Sequence, residues 1–390
     1  MQSRRMKIKD ICRTITDGSH NPPQGVGKSE YMMLSSKNIF DDEITFNEPR
    51  YLSQEEFFRE NKRTMISEGD VLLTIVGTVG RSAVVNKNMS PFTLQRSVAV
   101  LHPKNDICDS RFLMYALRGK RSYIENRAKG VAQKGIYLGE VSEIDINVPD
   151  IIEQQVIVEK LDKVFNIIKL RKKELEQFEN LMKGRFVELF GDPVSNPLGW
   201  EKRTLKEVCV KLNDGTHFSP ESFKVGAYKY VTAKNIKVSG FDFSNITYVS
   251  ESIHRPIYER CNPELGDVLY IKDGVTTGIA MVNTLQEEFT LLSSVALLKQ
   301  NRKIMNGYFL AAVLNNENMY SDIRSNMGGA AITRLTIAKL NVIRIIVPPL
   351  ELQNQFADFA RAIDKSKVAV QKARDEAQLL FDSLMQEYFG

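Results

Sequence analysis

The residues best suited to chemistry occur twice. Asp17-Gly18-Ser19-His20 returns as Asp214-Gly215-Thr216-His217, and each time an acid stands three residues before an imidazole. An Asp that orients a His is part of a general-base arrangement. Asp-Gly is also a turn signal that Ser/Thr-His merely follows, and this structural role is the better reading. The rest of the chain offers catalysis no support. There is no P-loop, no Gly-x-Gly-x-x-Gly opening a βαβ unit, no His-Glu-x-x-His and no Gly-x-Ser-x-Gly. Asp192-Pro193 lacks the aromatic that would complete an amino-methyltransferase signature. Cys12, Cys108, Cys209 and Cys261 are dispersed without a Cys-x-x-Cys pair, which argues against a zinc site or a disulfide framework. The chain is expected to bind rather than catalyse, with no catalytic residue, metal site or cofactor of its own.

Binding chemistry is better supplied. Arg111, Arg118, Lys120, Arg121, Arg127, Lys129 and Lys134 crowd one short region opposed only by Glu125, the pattern of a phosphate-contacting helix and loop or of a solvated helix face. Lys37-Asn38 and Lys234-Asn235 place a cation beside an amide, the side chains that read guanine and adenine edges. Thr78 and Arg81, with Thr276 and Thr277 in the second copy, sit in Gly-bearing loops and offer phosphate contacts. Gln95 and Arg96 precede an apolar run, where Leu292 and Ser293 stand in the second copy. Ser19, His20, Thr216, His217 and Arg334 complete the candidate DNA contacts. For each of these residues, turn chemistry or solvation is the competing explanation.

These residues are positioned by a duplicated frame. Lys37-Asn38-Ile39 and Lys234-Asn235-Ile236 lie 197 positions apart, as do Gly69-Asp70-Val71-Leu72 and Gly266-Asp267-Val268-Leu269, and Ser97-Val98-Ala99 and Ser294-Val295-Ala296. Each copy reads as mostly β. Gly69–Val85 and Gly266–Val282 suggest strand, tight loop, strand. Ser97–Leu101 suggests a buried strand, and helices follow at about residues 110–126 and 307–324. Gly-containing loops come next, at 129–138 and 327–335.

Each copy ends in a long helical pattern. Ile157, Leu161, Val164, Ile168, Leu175, Phe178, Met182 and Leu189 recur at steps of three and four once Arg171 and Arg185 fill two seam positions, the 3.5-residue period of a coiled-coil seam. Phe356, Phe359, Ile363, Val370, Ala373, Ala377, Leu380 and Leu384 do the same in the second copy, with only Ser366 polar in the series. A helix of about 40 residues is a rod on the order of 60 Å long. Two rods most simply pair with each other, and antiparallel pairing would put the globular units at opposite ends. The fold class is α+β: two globular mixed α/β domains separated by two long helices that pair as an antiparallel coiled coil. The boundaries fall at 1–148, 149–191, 192–346 and 347–390.

The 390 residues suffice for two or three domains, and the net charge of +5 permits a nucleic-acid partner without requiring one. No apolar run reaches transmembrane length, and Met1–Asp10 leads into no signal-peptide core. The expectation is a soluble cytoplasmic chain with reduced thiols.

The ordered set (Gly-Asp-Val-Leu with its Gly loop, then the rod opening Pro149, Glu153, Gln154, Gln155) resembles the specificity subunit of type I restriction–modification systems along essentially the whole chain. The second rod departs slightly, with Pro349-Leu350-Glu351-Leu352-Gln353 in place of the Glu-Gln pair. The resemblance implies two target-recognition domains, each reading half of a split, asymmetric site in double-stranded DNA, and paired rods that set the gap. It also implies two methyltransferase subunits that carry S-adenosylmethionine and modify adenine N6. Two restriction subunits would use ATP and Mg for cleavage, and this chain would have no activity by itself. The alternative from another class is a coiled-coil adaptor whose globular units bind proteins.

Overall fold

A computed structural model describes residues 4–130, 134–325 and 334–390. The chain forms two units, Met1–Arg171 with Ala373–Gly390, and Lys172–Lys372.

The first unit is built on an antiparallel sheet of β1 (Cys12–Asp17), β2 (Val71–Thr74), β3 (Ser82–Val84) and β4 (Val98–Pro103), in the order β1-β4-β2-β3. The central strands are apolar because both faces are covered, and successive residues point to opposite sides. Val71, Leu73, Ala99 and Leu101 enter a core completed by α1 (Ser110–Gly119) and the long helices. Leu72, Val98 and Val100 enter a second core under the small sheet formed by Arg50–Tyr51, Met32–Leu34 and Phe92–Leu94. Asp70 of the Gly-Asp-Val-Leu motif is structural. Its carboxylate accepts from the Ser67 N–H at 2.6 Å and meets the ring of buried His102 at 2.7 Å.

The second unit repeats this topology, with β5 (Cys209–Asp214), β6 (Val268–Ile271), β7 (Ala280–Val282) and β8 (Val295–Gln300) in the order β5-β8-β6-β7. Asp267 again accepts from a turn N–H, that of Glu264, and Lys299 takes the place of His102. The helices expected at about 110–126 and 307–324 are each broken in two. α1 stops at Gly119 and a short helix resumes over Arg121–Arg127. Its counterpart, Gly307–Asn315, gives way to Glu317–Ser325 at Asn316, whose side chain accepts from the N–H groups of Asn318 and Met319 and so starts a new helix. The loops expected next fall partly outside the described residues, at 131–133 and 326–333.

The two long helices are α2 (Ile151–Phe190) and, after Gly307–Asn315 as α3, α4 (Leu350–Phe389). In the first unit Lys160 meets Tyr388 at 3.3 Å and Phe165 packs on Phe381, so partner numbers fall as position rises and the helices run antiparallel. Ile157, Leu161 and Val164 are buried there, and Ile168 and Leu384 are half-buried. In the second unit Ile363 and Val370 are buried, while Leu175, Phe178, Met182, Leu189 and Phe359 are half-buried. Leu380 departs from the expected seam. It is 51% exposed, and the next residue, Phe381, faces inward instead at 1%. A seam drawn only for helix-on-helix packing misses the face that also docks on the globular part, where Phe381 meets Tyr115 of α1 as well as Phe165 of α2. In the second unit Phe186, Phe190 and Phe356 gather on Phe309 of α3 in the same way.

Each long helix is pinned by a fully buried glutamine. Gln154 accepts from the Asp109 N–H and donates to the carbonyls of Ile107 and Pro149. Gln353 does the same with the Asn306 N–H and the carbonyls of Ile304 and Pro348. The departure read from the second rod opening therefore leaves the working glutamine in place.

Burial raises the thiols of Cys12, Cys209 and Cys261 to about 12, and raises that of Cys108 as well. All four cysteines are free. The nucleophile is the thiolate, so a thiol reagent at pH 8 is expected to label none of them in the native protein and all four in guanidinium. Rapid native labelling at any of the four, read by mass spectrometry, would contradict this.

Candidate nucleic-acid interface

In the first unit, backbone hydrogen bonds tie several loops together at one end of the strands of the β1–β4 sheet. The Ser19 N–H donates to Leu94 O at 2.7 Å, and the Arg96 N–H donates to Ser19 O at 2.9 Å. Gly18 makes this possible, because a Cβ there would lie 2.1 Å from Leu94 O, and at Gly215 one would lie 1.9 Å from Leu291 O. Close approach, more than turn formation, explains the repeated Asp-Gly. Ser97 is the knot. Its carbonyl accepts from Ile75 and Val76, and its hydroxyl accepts from the Ser36 N–H at 3.0 Å. The Gly77 N–H reaches Lys134 O at 3.0 Å, which brings in the loop after the Arg121–Arg127 helix.

From this base His20, Lys37, Thr78, Arg96, Lys129 and Lys134 stand exposed, and Arg81 and Gln95 are half-exposed. The Arg81 guanidinium lies 5.0 Å from the Phe40 ring centroid. An open cleft of about 440 Å³ runs beside them, lined by Gly77, Thr78, Arg81, Arg121, Glu125 and Lys134 among others. His20 is held by Asp17 at 2.8 Å, and Arg63 clamps both the carboxylate and the carbonyl of Asp17. Among the described residues no group of His, Cys, Asp and Glu could hold a metal ion.

The second unit copies the scaffold and changes the side chains. The Thr216 N–H donates to Leu291 O and the Ser293 N–H donates to Thr216 O, both at 2.8 Å, while Ser294 accepts from Lys272 and Ala233. His217, Lys234, Thr276 and Arg334 are exposed. His217 lies 3.1 Å from Asp214 and Arg334 lies 3.5 Å from Asp273. Asp214 is also faced by Lys272, buried at 3.2 Å, and by Arg260, which corresponds to Arg63.

Several expected readers are supports instead. Asn38 and Asn235 are buried. Asn38 Oδ1 accepts from the Ser35 N–H and its Nδ2 donates to Asn47 O; Asn235 does likewise with Thr232 and Asp242. Both ends of each amide are consumed in holding a short turn, so neither reaches a base. Ser19 and Thr216 are buried at the knot, and Thr277 is buried with its hydroxyl on Gly274 O. The basic stretch is also largely committed to the scaffold. Arg111 forks onto Asp162 and reaches Asp42 at 2.9 Å, and Arg118 lies over the packed rings of Phe165 and Phe381. Lys120 donates to Phe389 O, and Arg121 holds Asp41 and Gly80 O. The stretch is not duplicated because the joint changes its chemistry: Tyr308 stands where Arg111 does, under the guanidinium of Arg361.

The sequence reading missed Arg63, Arg260 and Val275. Applied residue by residue, the 197 offset would have paired Arg63 with Arg260, and Thr78 with Val275 rather than Thr276.

The chain matches the sequence model of the type I restriction modification DNA specificity domain twice, over residues 5–180 and 197–379. It is 23% identical to the type I restriction enzyme MjaVIII specificity subunit of Methanocaldococcus jannaschii, across 80% of this chain and 78% of that one. It is 23% identical to a putative MjaX specificity subunit of the same organism, across 94% and 90%. Among solved structures, the type I restriction–modification S subunit from M. genitalium shares the fold at a TM-score of 0.64 and 15% identity, covering 100% of this chain and 96% of that one. With two copies of the domain spanning nearly its whole length, the chain belongs to the family of DNA specificity subunits of type I restriction–modification systems.

Proposed function

We propose that the loop face of each unit reads one half of a split, asymmetric site in double-stranded DNA. In this reading the paired long helices set the spacing, and the chain positions two methyltransferase and two restriction subunits. S-adenosylmethionine, ATP and Mg belong to those partners. One observation carries the reading: the two loop faces are tied by matching backbone hydrogen bonds yet present different side chains. Both carry an exposed His and Lys, His20 with Lys37 and His217 with Lys234, but the first adds Thr78, Arg81, Gln95, Arg96, Lys129 and Lys134 where the second adds Thr276 and Arg334, with fewer cations. One scaffold with two surfaces suits two different half-sites. Arg81, Gln95 and Arg96 have the donors for base edges, and Lys37, Lys129 and Lys134 suit phosphates.

Modified-base sequencing of DNA from cells expressing this chain with its methyltransferase partner tests the reading. The expected result is a split motif carrying N6-methyladenine, absent from cells lacking the chain. Methylation that does not depend on the chain, with the methyltransferase present, would overturn it in favour of a protein-binding adaptor. Within the complex, Lys134→Ala is expected to lower the slope of log affinity against log salt by about one. Arg96→Ala is expected to relax one base-pair position in one half-site, at a cost of about 1–3 kcal/mol. An unchanged slope, or an unchanged motif, would remove that residue from the interface.

A further inference from the structure

Val275 stands at the tip of the loop that joins β6 to β7, and it is 93% exposed. A β-branched apolar side chain in that position contributes nothing to a core, yet the backbone beneath it is firmly built. Gly274 takes a φ of +103°, a conformation that favours glycine. Thr277 closes the turn, with its hydroxyl on Gly274 O at 2.7 Å and its N–H on the same oxygen at 3.1 Å. Arg324 Nη1 donates to Thr277 O at 3.2 Å, and the Gly278 N–H donates to Ile271 O at 2.8 Å. Below the loop, Lys272 is locked against Asp214. Valine itself has few χ1 options. Its two methyl groups are therefore presented in one direction from a stiff support, on the rim that carries His217, Thr276 and Arg334.

We infer that Val275 is the residue with which the second unit reads the 5-methyl group of a thymine. The inference rests on this loop face meeting DNA. In the major groove, thymine alone of the four ordinary bases presents a methyl group, and apolar side chains recognise it by contact. The equivalent place in the first unit holds Thr78, whose hydroxyl lies 3.5 Å from Ser36 O. Arg81, three residues further on, corresponds to Gly278. At this position the first loop thus offers a hydroxyl beside its one methyl where the second offers two methyls and no polar group, so the two half-sites differ at the base pair each loop meets.

The test uses the assembled complex and duplexes carrying its methylated motif, with each thymine in turn replaced by deoxyuridine, which lacks only the methyl group. The native chain is expected to lose about fourfold in affinity at one thymine of one half-site, the worth of about one buried methyl. Val275→Ala should bind the thymine and deoxyuridine duplexes almost equally, while Thr78→Ala keeps the native difference. Val275 is solvent-exposed, so its replacement leaves the fold intact. A deoxyuridine penalty that survives Val275→Ala overturns the inference, as does the absence of any penalty or of any thymine in the half-site. Lys234→Ala and Arg334→Ala separate the two levels. If they weaken binding while Val275→Ala leaves the penalty intact, only the thymine contact falls; if they also change nothing, the second unit's loop face is not the DNA surface.

Discussion

Phe381→Ala is expected to destabilise the first unit by about 3–5 kcal/mol while leaving the second unit's stability unchanged. The side chain is almost wholly buried. Its ring packs against Phe165 at 5.5 Å and Tyr115 at 6.1 Å, and the Arg118 guanidinium lies 4.5 Å from its centroid. Truncation leaves a cavity on a helix that is also pinned through Phe389, which packs on Phe112 at 5.3 Å, so the site cannot collapse easily. It also uncovers one face of Arg118, whose pKa burial already holds below its ordinary value. Hydrogen exchange read by mass spectrometry would show protection lost in the strands Cys12–Asp17 and Val98–Pro103 but kept in Cys209–Asp214 and Val295–Gln300. Equal losses in both sets, or none, would contradict the assignment of this segment to the first unit.

The second large effect is expected at the buried glutamines. Gln154→Leu preserves much of the side-chain volume but leaves the Asp109 N–H and the carbonyls of Ile107 and Pro149 without their partner. Unpaired buried groups cost about 1–3 kcal/mol each, so a loss of roughly 3–5 kcal/mol is expected, confined to the first unit. Gln353→Leu should do the same to the second. The two sites share no partner, so the double variant should show both losses, close to additive. Chemical denaturation with exchange as the local readout decides this. If Gln353→Leu loosens the first unit instead, or costs less than about 1 kcal/mol, the pinning role is wrong.

The duplicated frame was legible because repetition is a property of the sequence itself. Gly69–Leu72 and Ser97–Ala99 recur at one offset, and the strands they form pair in one order in both units. The offset grows from 197 to 199 beyond the basic stretch, where Val76 pairs with Gly135 but Asp273 pairs with Arg334, so the second copy carries two more residues there. What the sequence hid is which polar side chains are already engaged. Arg111 looks free in a basic run, but Asp42 and Asp162, which neutralise it, lie far away along the chain. Asn38 has the side chain of an adenine reader, and only burial shows its amide to be occupied. Leu380 and Phe381 are equally apolar neighbours. Helical period alone does not choose between them, because the globular part widens the face that α4 must bury.

The closure of the first unit by Ala373–Gly390 sets an order of events during synthesis. Residues up to Arg171 leave the ribosome first, but the surface around Phe112 and Phe165 has no Phe381 or Phe389 to cover it until the whole second unit has followed. At about 5–20 residues per second, roughly 200 intervening residues take about 10–40 s. For that interval the older half of the molecule waits with an open apolar seam, while the younger half, one continuous stretch of chain, needs no later segment to close it. The first half to be made is therefore the last to be finished, and it is the half that a nascent-chain chaperone would find unguarded.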